Sequence, residues 1–97
     1  MDKETVIRTL RAHEAELRAE GISHVYLFGS VARGEADEES DIDLFYDYEN
    51  PRFSLIDVVR VQDRLAEILG AKVDAMTRES VHRRLRADIE RTAVPVF

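Results

Sequence analysis

Asp41 and Asp43 are separated by one residue in the run Asp41-Ile42-Asp43-Leu44-Phe45-Tyr46-Asp47-Tyr48. Hydrophobicity alternates there with period two, so the run reads as a strand: Ile42, Leu44, Tyr46 and Tyr48 on one face, Asp41, Asp43, Phe45 and Asp47 on the other. Two carboxylates at i and i+2 leave the same face with Cα atoms about 6.6 Å apart. At about 6 Å and an effective dielectric near 20 they repel by roughly 3 kcal/mol. A pair of divalent cations offsets that repulsion, and hard oxygen ligands without His or Cys nearby select Mg²⁺, or Mn²⁺, over zinc. Asp74 lies in the otherwise apolar segment Lys72–Thr77 and completes a three-carboxylate cluster if that segment pairs beside the first. Separated from Asp41 by ten residues, Gly29-Ser30 closes another apolar run and is followed by Val31-Ala32-Arg33-Gly34. Such a turn offers backbone N–H groups, the Ser30 hydroxyl and the Arg33 guanidinium to an anion. An anion cradle beside a carboxylate cluster describes a nucleoside-triphosphate site of the two-metal type.

The elements that must position these groups follow from periodicity. Val6, Leu10 and Leu17 line an amphipathic helix over about 4–20, with Asp2 able to cap it and Gly21 to end it. His24–Phe28 is a buried strand ending at Gly29-Ser30. After Asn50-Pro51, Ser54 can cap a second helix carrying Leu55, Val58, Val59, Leu65, Ile68 and Leu69, which Gly70 ends. Lys72–Thr77 is a third strand with Asp74 facing away from Val73 and Ala75. Val81, Leu85 and Ile89 mark a last helix over about 79–91, and 94–97 can add a short strand. The order αβ(loop)βαβα implies a two-layer α+β fold over 1–97 as one domain: a mixed sheet of three to four strands with helices on one face.

Composition narrows the function. The 97 residues contain no Cys, which excludes thiolate chemistry and disulfides, and no apolar run reaches the roughly 20 residues of a membrane span. Met1-Asp2-Lys3-Glu4 does not begin a signal peptide, so a cytoplasmic location is expected. The net charge of −6 opposes direct nucleic-acid binding. Residues 78–97 nevertheless carry five Arg against three acids. Arg78, Arg83, Arg84, Arg86 and Arg91 read as a solvated helix face with the pairs Glu79–Arg83, Arg84–Asp88 and Arg86–Glu90, or else as a docking surface. Glu35, Asp37, Glu38 and Glu39 read as a solvated loop, Asp47 as a surface carboxylate, and His13, His24 and His82 as structural.

The run Tyr26-Leu27-Phe28-Gly29-Ser30-Val31-Ala32-Arg33-Gly34, followed by Ser40-Asp41-Ile42-Asp43-Leu44, resembles the signature of the minimal nucleotidyltransferases (MNT), the smallest members of the DNA polymerase β-like superfamily. The similarity extends to Leu69-Gly70-Ala71-Lys72-Val73-Asp74 and to Ala93-Val94-Pro95-Val96-Phe97; Asp74-Ala75-Met76 departs mildly from the family's Asp-Leu-Val. The resemblance implies a nucleotidyltransferase palm in which Gly29 and Ser30 hold the triphosphate of ATP while Asp41, Asp43 and Asp74 bind two Mg²⁺ and carry the catalysis. Many MNT proteins are antitoxins that silence a HEPN-domain RNase toxin by transferring AMP to its tyrosine, so the resemblance also implies a HEPN toxin as partner and a hetero-oligomer with it. A binding-only antitoxin without chemistry and a transferase acting on a small-molecule hydroxyl are the alternatives.

Overall fold

A computed structural model describes residues 1–37, 39–81 and 86–97. The elements are α1 (Lys3–Ala12), α2 (Glu14–Ala19), β1 (Ile22–Phe28), α3 (Gly29–Arg33), β2 (Ile42–Tyr48), α4 (Leu55–Leu69), β3 (Val73–Thr77), a 3-10 turn (Arg78–Ser80), α5 (Arg86–Thr92) and β4 (Val94–Pro95). Asp2 caps α1 by accepting from the Thr5 N–H at 2.8 Å. The single first helix expected over 4–20 is instead interrupted at His13. The His13 ring Nδ1 lies 2.9 Å from the Thr9 carbonyl, the acceptor that its own N–H would use in an unbroken helix, and that N–H turns to Leu10. Side-chain competition for a backbone acceptor breaks the ladder.

The four strands lie in the order β3-β2-β1-β4. β1 is antiparallel to β2 and β4, whereas β2 and β3 run parallel. Val25 and Leu27 of β1, Ile42, Leu44 and Tyr46 of β2 and Val73 of β3 share one core with Val6 and Leu10 of α1, Leu17 of α2 and Val61, Leu65 and Leu69 of α4. The opposite sheet face carries His24, Tyr26, Phe28, Asp43, Phe45, Asp47, Asp74 and Met76. The mixed α+β architecture therefore agrees with the sequence reading.

Helix α4 begins with a capping box, in which the Asp57 carboxylate accepts from the Ser54 N–H at 2.8 Å, and ends at Gly70 in the left-handed conformation. Its buried stripe is narrower than the expected one. Val61, Leu65 and Leu69 are buried, but Leu55, Ile56 and Val59 are 76%, 74% and 57% exposed. Leu55 and Val59 lie two residues, about 200° round a helix, from Asp57 and Val61, the positions that continue the stripe.

The C-terminal region also differs from expectation. After β3 the chain makes a 3-10 turn rather than starting a long helix at Glu79, and Val81 is extended and buried. α5 is seen from Arg86 to Thr92. His82, Arg83, Arg84 and Leu85 lie outside the described residues, and so does the Arg86 side chain, which leaves the three expected helix ion pairs undescribed. What is seen is Arg91 paired with Asp88 at 3.0 Å and Arg78 committed elsewhere.

Candidate active site

The site grows from the ends of three strands. β1 stops at Phe28 and the chain enters the single turn of α3 through Gly29, whose φ is +76°. Gly29 is irreplaceable for two reasons. Its backbone conformation disfavours any L side chain, and a Cβ there would collide with the Asp43 carboxylate. Gly34 at φ +73° then ends the turn.

Asp43 is the register partner of Phe28 on one side and of Asp74 on the other. Neighbouring strands lie about 4.8 Å apart, so the parallel register places two carboxylates side by side on the sheet face opposite the core. Asp41 immediately precedes β2 and is exposed. Asp43 is half-buried, and its carboxyl is held above the ordinary range, first by burial, then by the Asp74 and Asp41 charges, with Arg33 opposing. A carboxylate raised by its neighbours reports negative charge concentrated at one point. Strand pairing brings Asp43 and Asp74 to this end of the sheet, with Asp41 just before β2 and Gly29 and Ser30 just after β1.

Among the described residues, no three His, Asp or Glu side chains close on one point able to hold a metal ion. The expected three-ligand cluster is thus not a preformed cage. The donor set still suits Mg²⁺, which commonly takes one or two carboxylates and completes its octahedron with substrate phosphates and water.

Arg33 is exposed and paired with Glu35 at 3.0 Å. Exposed pairs contribute about 0–1 kcal/mol, so the guanidinium is readily surrendered to a stronger anion. The acidic loop expected to be merely solvated is partly structural. Asp37 Oδ1 accepts from the Glu39 N–H at 2.9 Å and from the Ser40 hydroxyl at 3.1 Å, and Ser40 Oγ accepts from the Asp37 N–H. These bonds organise the turn that delivers Asp41.

Sequence reasoning placed Arg78 on a solvated helix face or a docking surface, whereas the structure puts it in the 3-10 turn beside the site. Its guanidinium grips Asp47 with two bonds, at 2.7 and 2.9 Å, and reaches Glu90 at 3.0 Å. It also lies over the Tyr26 and Phe45 rings, 4.9 and 5.1 Å from their centroids. Those two rings stack at 4.8 Å, and Phe28 tilts against Phe45. Arg78 therefore covers the aromatic floor beside Asp43, and its cation is reinforced by Asp47 first, against the cost of burial, and then by Glu90. Asp47 is an ion-pair partner rather than a free surface carboxylate.

A family model for the nucleotidyltransferase domain matches residues 10–95. The chain belongs to the nucleotidyltransferase domain family. Its similarity to the protein adenylyltransferase MntA of Thermococcus cleftensis is 34% identity over 94 residues, covering 96% of this chain and 94% of that protein. A solved structure described as a minimal nucleotidyltransferase superposes with a TM-score of 0.82 at 39% identity, covering 98% of this chain and 96% of the other. A toxin–antitoxin structure with AMP-PNP superposes at 0.74 with 22% identity over 94% of this chain and 72% of the other. A chain from a tri-AMPylated Shewanella oneidensis HEPN toxin in complex with an MNT antitoxin superposes at 0.59 with 18% identity, over 90% and 71%. These last two share the nucleotidyltransferase fold.

Proposed function

We propose that this chain is a Mg²⁺-dependent protein adenylyltransferase that moves AMP from ATP to a hydroxyl, a tyrosine for preference, on a HEPN-domain toxin and thereby acts as its antitoxin. The observation that carries the reading is the parallel register of Asp43 with Asp74, with Gly29 packed against the Asp43 carboxylate on the sheet face opposite the core. Asp41, Asp43 and Asp74 would hold two Mg²⁺ ions, with Mn²⁺ as a substitute. When bound, the ions stabilise the charge that develops on the α-phosphate.

The remaining work belongs to the chain's own groups. Gly29 lets the Asp43 carboxylate lie directly against the turn, where a Cβ would collide with it, and so keeps the carboxylate beside the backbone N–H groups that would meet a triphosphate. Ser30 donates its hydroxyl to a phosphate oxygen, and Arg33 exchanges Glu35 for another. The acceptor oxygen attacks the α-phosphorus, the bond to the β-phosphate oxygen breaks, and pyrophosphate leaves while the hydroxyl proton is lost. Asp74, on the edge strand, lies on the side from which an acceptor enters. The exposed Leu55, Ile56 and Val59 support an assembly with a protein partner, since contiguous apolar surface marks docking sites. Among the described residues no helix is long and apolar enough to cross a membrane. The charge of −6 is unsuited to nucleic acid and favours a protein acceptor.

Incubation of the purified chain, Mg²⁺ and labelled ATP with a HEPN toxin tests the reading. The toxin's intact mass should rise by AMP units and its RNase activity should fall in step. Unchanged mass with tight, ATP-independent inhibition would instead identify a binding-only antitoxin.

A further inference from the structure

Among the described residues β3 is an edge strand, with β2 on one side and no strand on the other. Along a strand, successive residues aim their backbone groups to opposite sides. The Lys72 carbonyl accepts from the Ile42 N–H at 2.9 Å and so faces β2. The groups of Val73 and Ala75 therefore face outward, where an edge leaves them unpaired. Both are taken by one side chain from α4: Gln62 Nε2 donates to the Val73 carbonyl at 2.5 Å, and Gln62 Oε1 accepts from the Ala75 N–H at 2.8 Å. The carboxamide acts as a one-residue substitute for the missing neighbouring strand. The two bonds bracket Asp74, and the helix that supplies them is anchored through the buried Val61 and Leu65 on either side of Gln62.

We infer that Gln62 is a positioning residue for Asp74: its carboxamide locks the free edge of β3 and so holds the Asp74 carboxylate in register with Asp43. This rests on the reading above that Asp74 serves the reaction. A frayed edge would let Asp74 drift, and a misplacement of about 1 Å can cost far more than the lost bonds themselves. Gly29 and Ser30 lie across the sheet on the β1 side, so the triphosphate contacts should not register the change. The same clamp occupies two of the outward edge groups, the Val73 carbonyl and the Ala75 N–H, that could recruit a foreign strand.

Gln62→Met keeps the side chain's length and helix propensity while deleting both bonds. Three measurements are made on the whole chain: kcat and KM for ATP in toxin AMPylation, and amide exchange of Ala75 in the metal-free protein with Phe45, whose backbone groups face β1, as reference. The expected result is kcat lower by about tenfold, KM for ATP within about twofold of wild type, and Ala75 exchange faster by about tenfold with Phe45 unchanged. Unchanged kcat, unchanged Ala75 exchange, or a loss carried by KM would each overturn the inference. Should Gln62→Met fail to fold, Gln62→Glu serves: it retains the acceptor for Ala75 but loses the donor for Val73, so intermediate values support the clamp and wild-type values refute it. Asp74→Ala separates this inference from the parent reading. Activity surviving in Asp74→Ala would remove Asp74 from the chemistry, while the exchange of Ala75 would still report whether Gln62 holds the strand.

Discussion

Asp43→Asn should abolish AMP transfer and yet leave the metal-free domain at least as stable as the wild type. Asp43 is half-buried between the Asp74 and Asp41 charges, and all three causes that raise its carboxyl (burial, Asp74, Asp41) disfavour its ionised form. Two such charges at about 6 Å and a dielectric near 20 would cost roughly 3 kcal/mol. Both neighbours are exposed, and solvent screening reduces the usable part to about 1 kcal/mol or less. For a domain of this size that corresponds to a rise in Tm of up to about 4–8 °C. The sign follows from linkage. A carboxyl raised in the folded state binds its proton more tightly than in the unfolded chain, so its penalty is absent at low pH and builds as pH climbs from the ordinary carboxylate value through the folded one. The amide's advantage should therefore be full at pH 7 and vanish as pH falls toward that ordinary value. Thermal melts in chelator from pH 7 downward measure it, and added Mg²⁺ should raise the wild-type Tm but not the variant's. A variant that melts below wild type at pH 7, with Mg²⁺ moving neither curve, would show that Asp43 has a structural role and refute the argument.

Gly29→Ala should lower Tm by more than about 8 °C, because a residue forced into the left-handed region costs about 1–3 kcal/mol and its Cβ also displaces the Asp43 carboxylate; calorimetry at pH 7 reads it. Ser30→Ala should reduce kcat/KM for ATP by about 10- to 150-fold, the worth of one charge-assisted hydrogen bond, while calorimetric titration of Mg²⁺ into the free chain is unchanged. Asp41→Ala should do the reverse in that titration, eliminating Mg²⁺ binding and nearly all activity with it. Arg78→Ala and Asp47→Ala should each destabilise, and in a double-mutant cycle followed by urea melts the coupling should reach about 1–3 kcal/mol; additive losses would mean the two-bond grip contributes nothing beyond packing.

Local chemistry made much of this protein legible in one dimension. The alternation of 41–48 fixed which face carries Asp43, because side chains on a strand alternate whatever the fold. Ser54 and Gly70 bounded α4 to the residue, since caps answer to backbone groups that every helix leaves unsatisfied. The Gly29-Ser30 to Asp41-Ile42-Asp43 spacing described a two-metal triphosphate site, and the runs 26–34 and 40–44 that contain it resemble the nucleotidyltransferase signature. What local pattern could not supply was which strands pair and in what register. Once Asp43 faces Asp74, an offset of thirty-one residues also brings Asp47 to Arg78, and the arginine counted with a solvated helix becomes the lid of the aromatic floor. Val59 likewise had the right residue type for the core but lies turned away from the Val61 stripe, and His13 broke a helix through one side-chain bond that periodicity does not register. The Gln62 clamp is the extreme case: a polar helix residue has no distinguishing mark until the sheet order leaves β3 with an open edge beside it. Sequence determined the groups and the faces they leave from, because those depend on neighbours a few residues apart; tertiary structure alone decided which distant groups meet, because that depends on how the layers close.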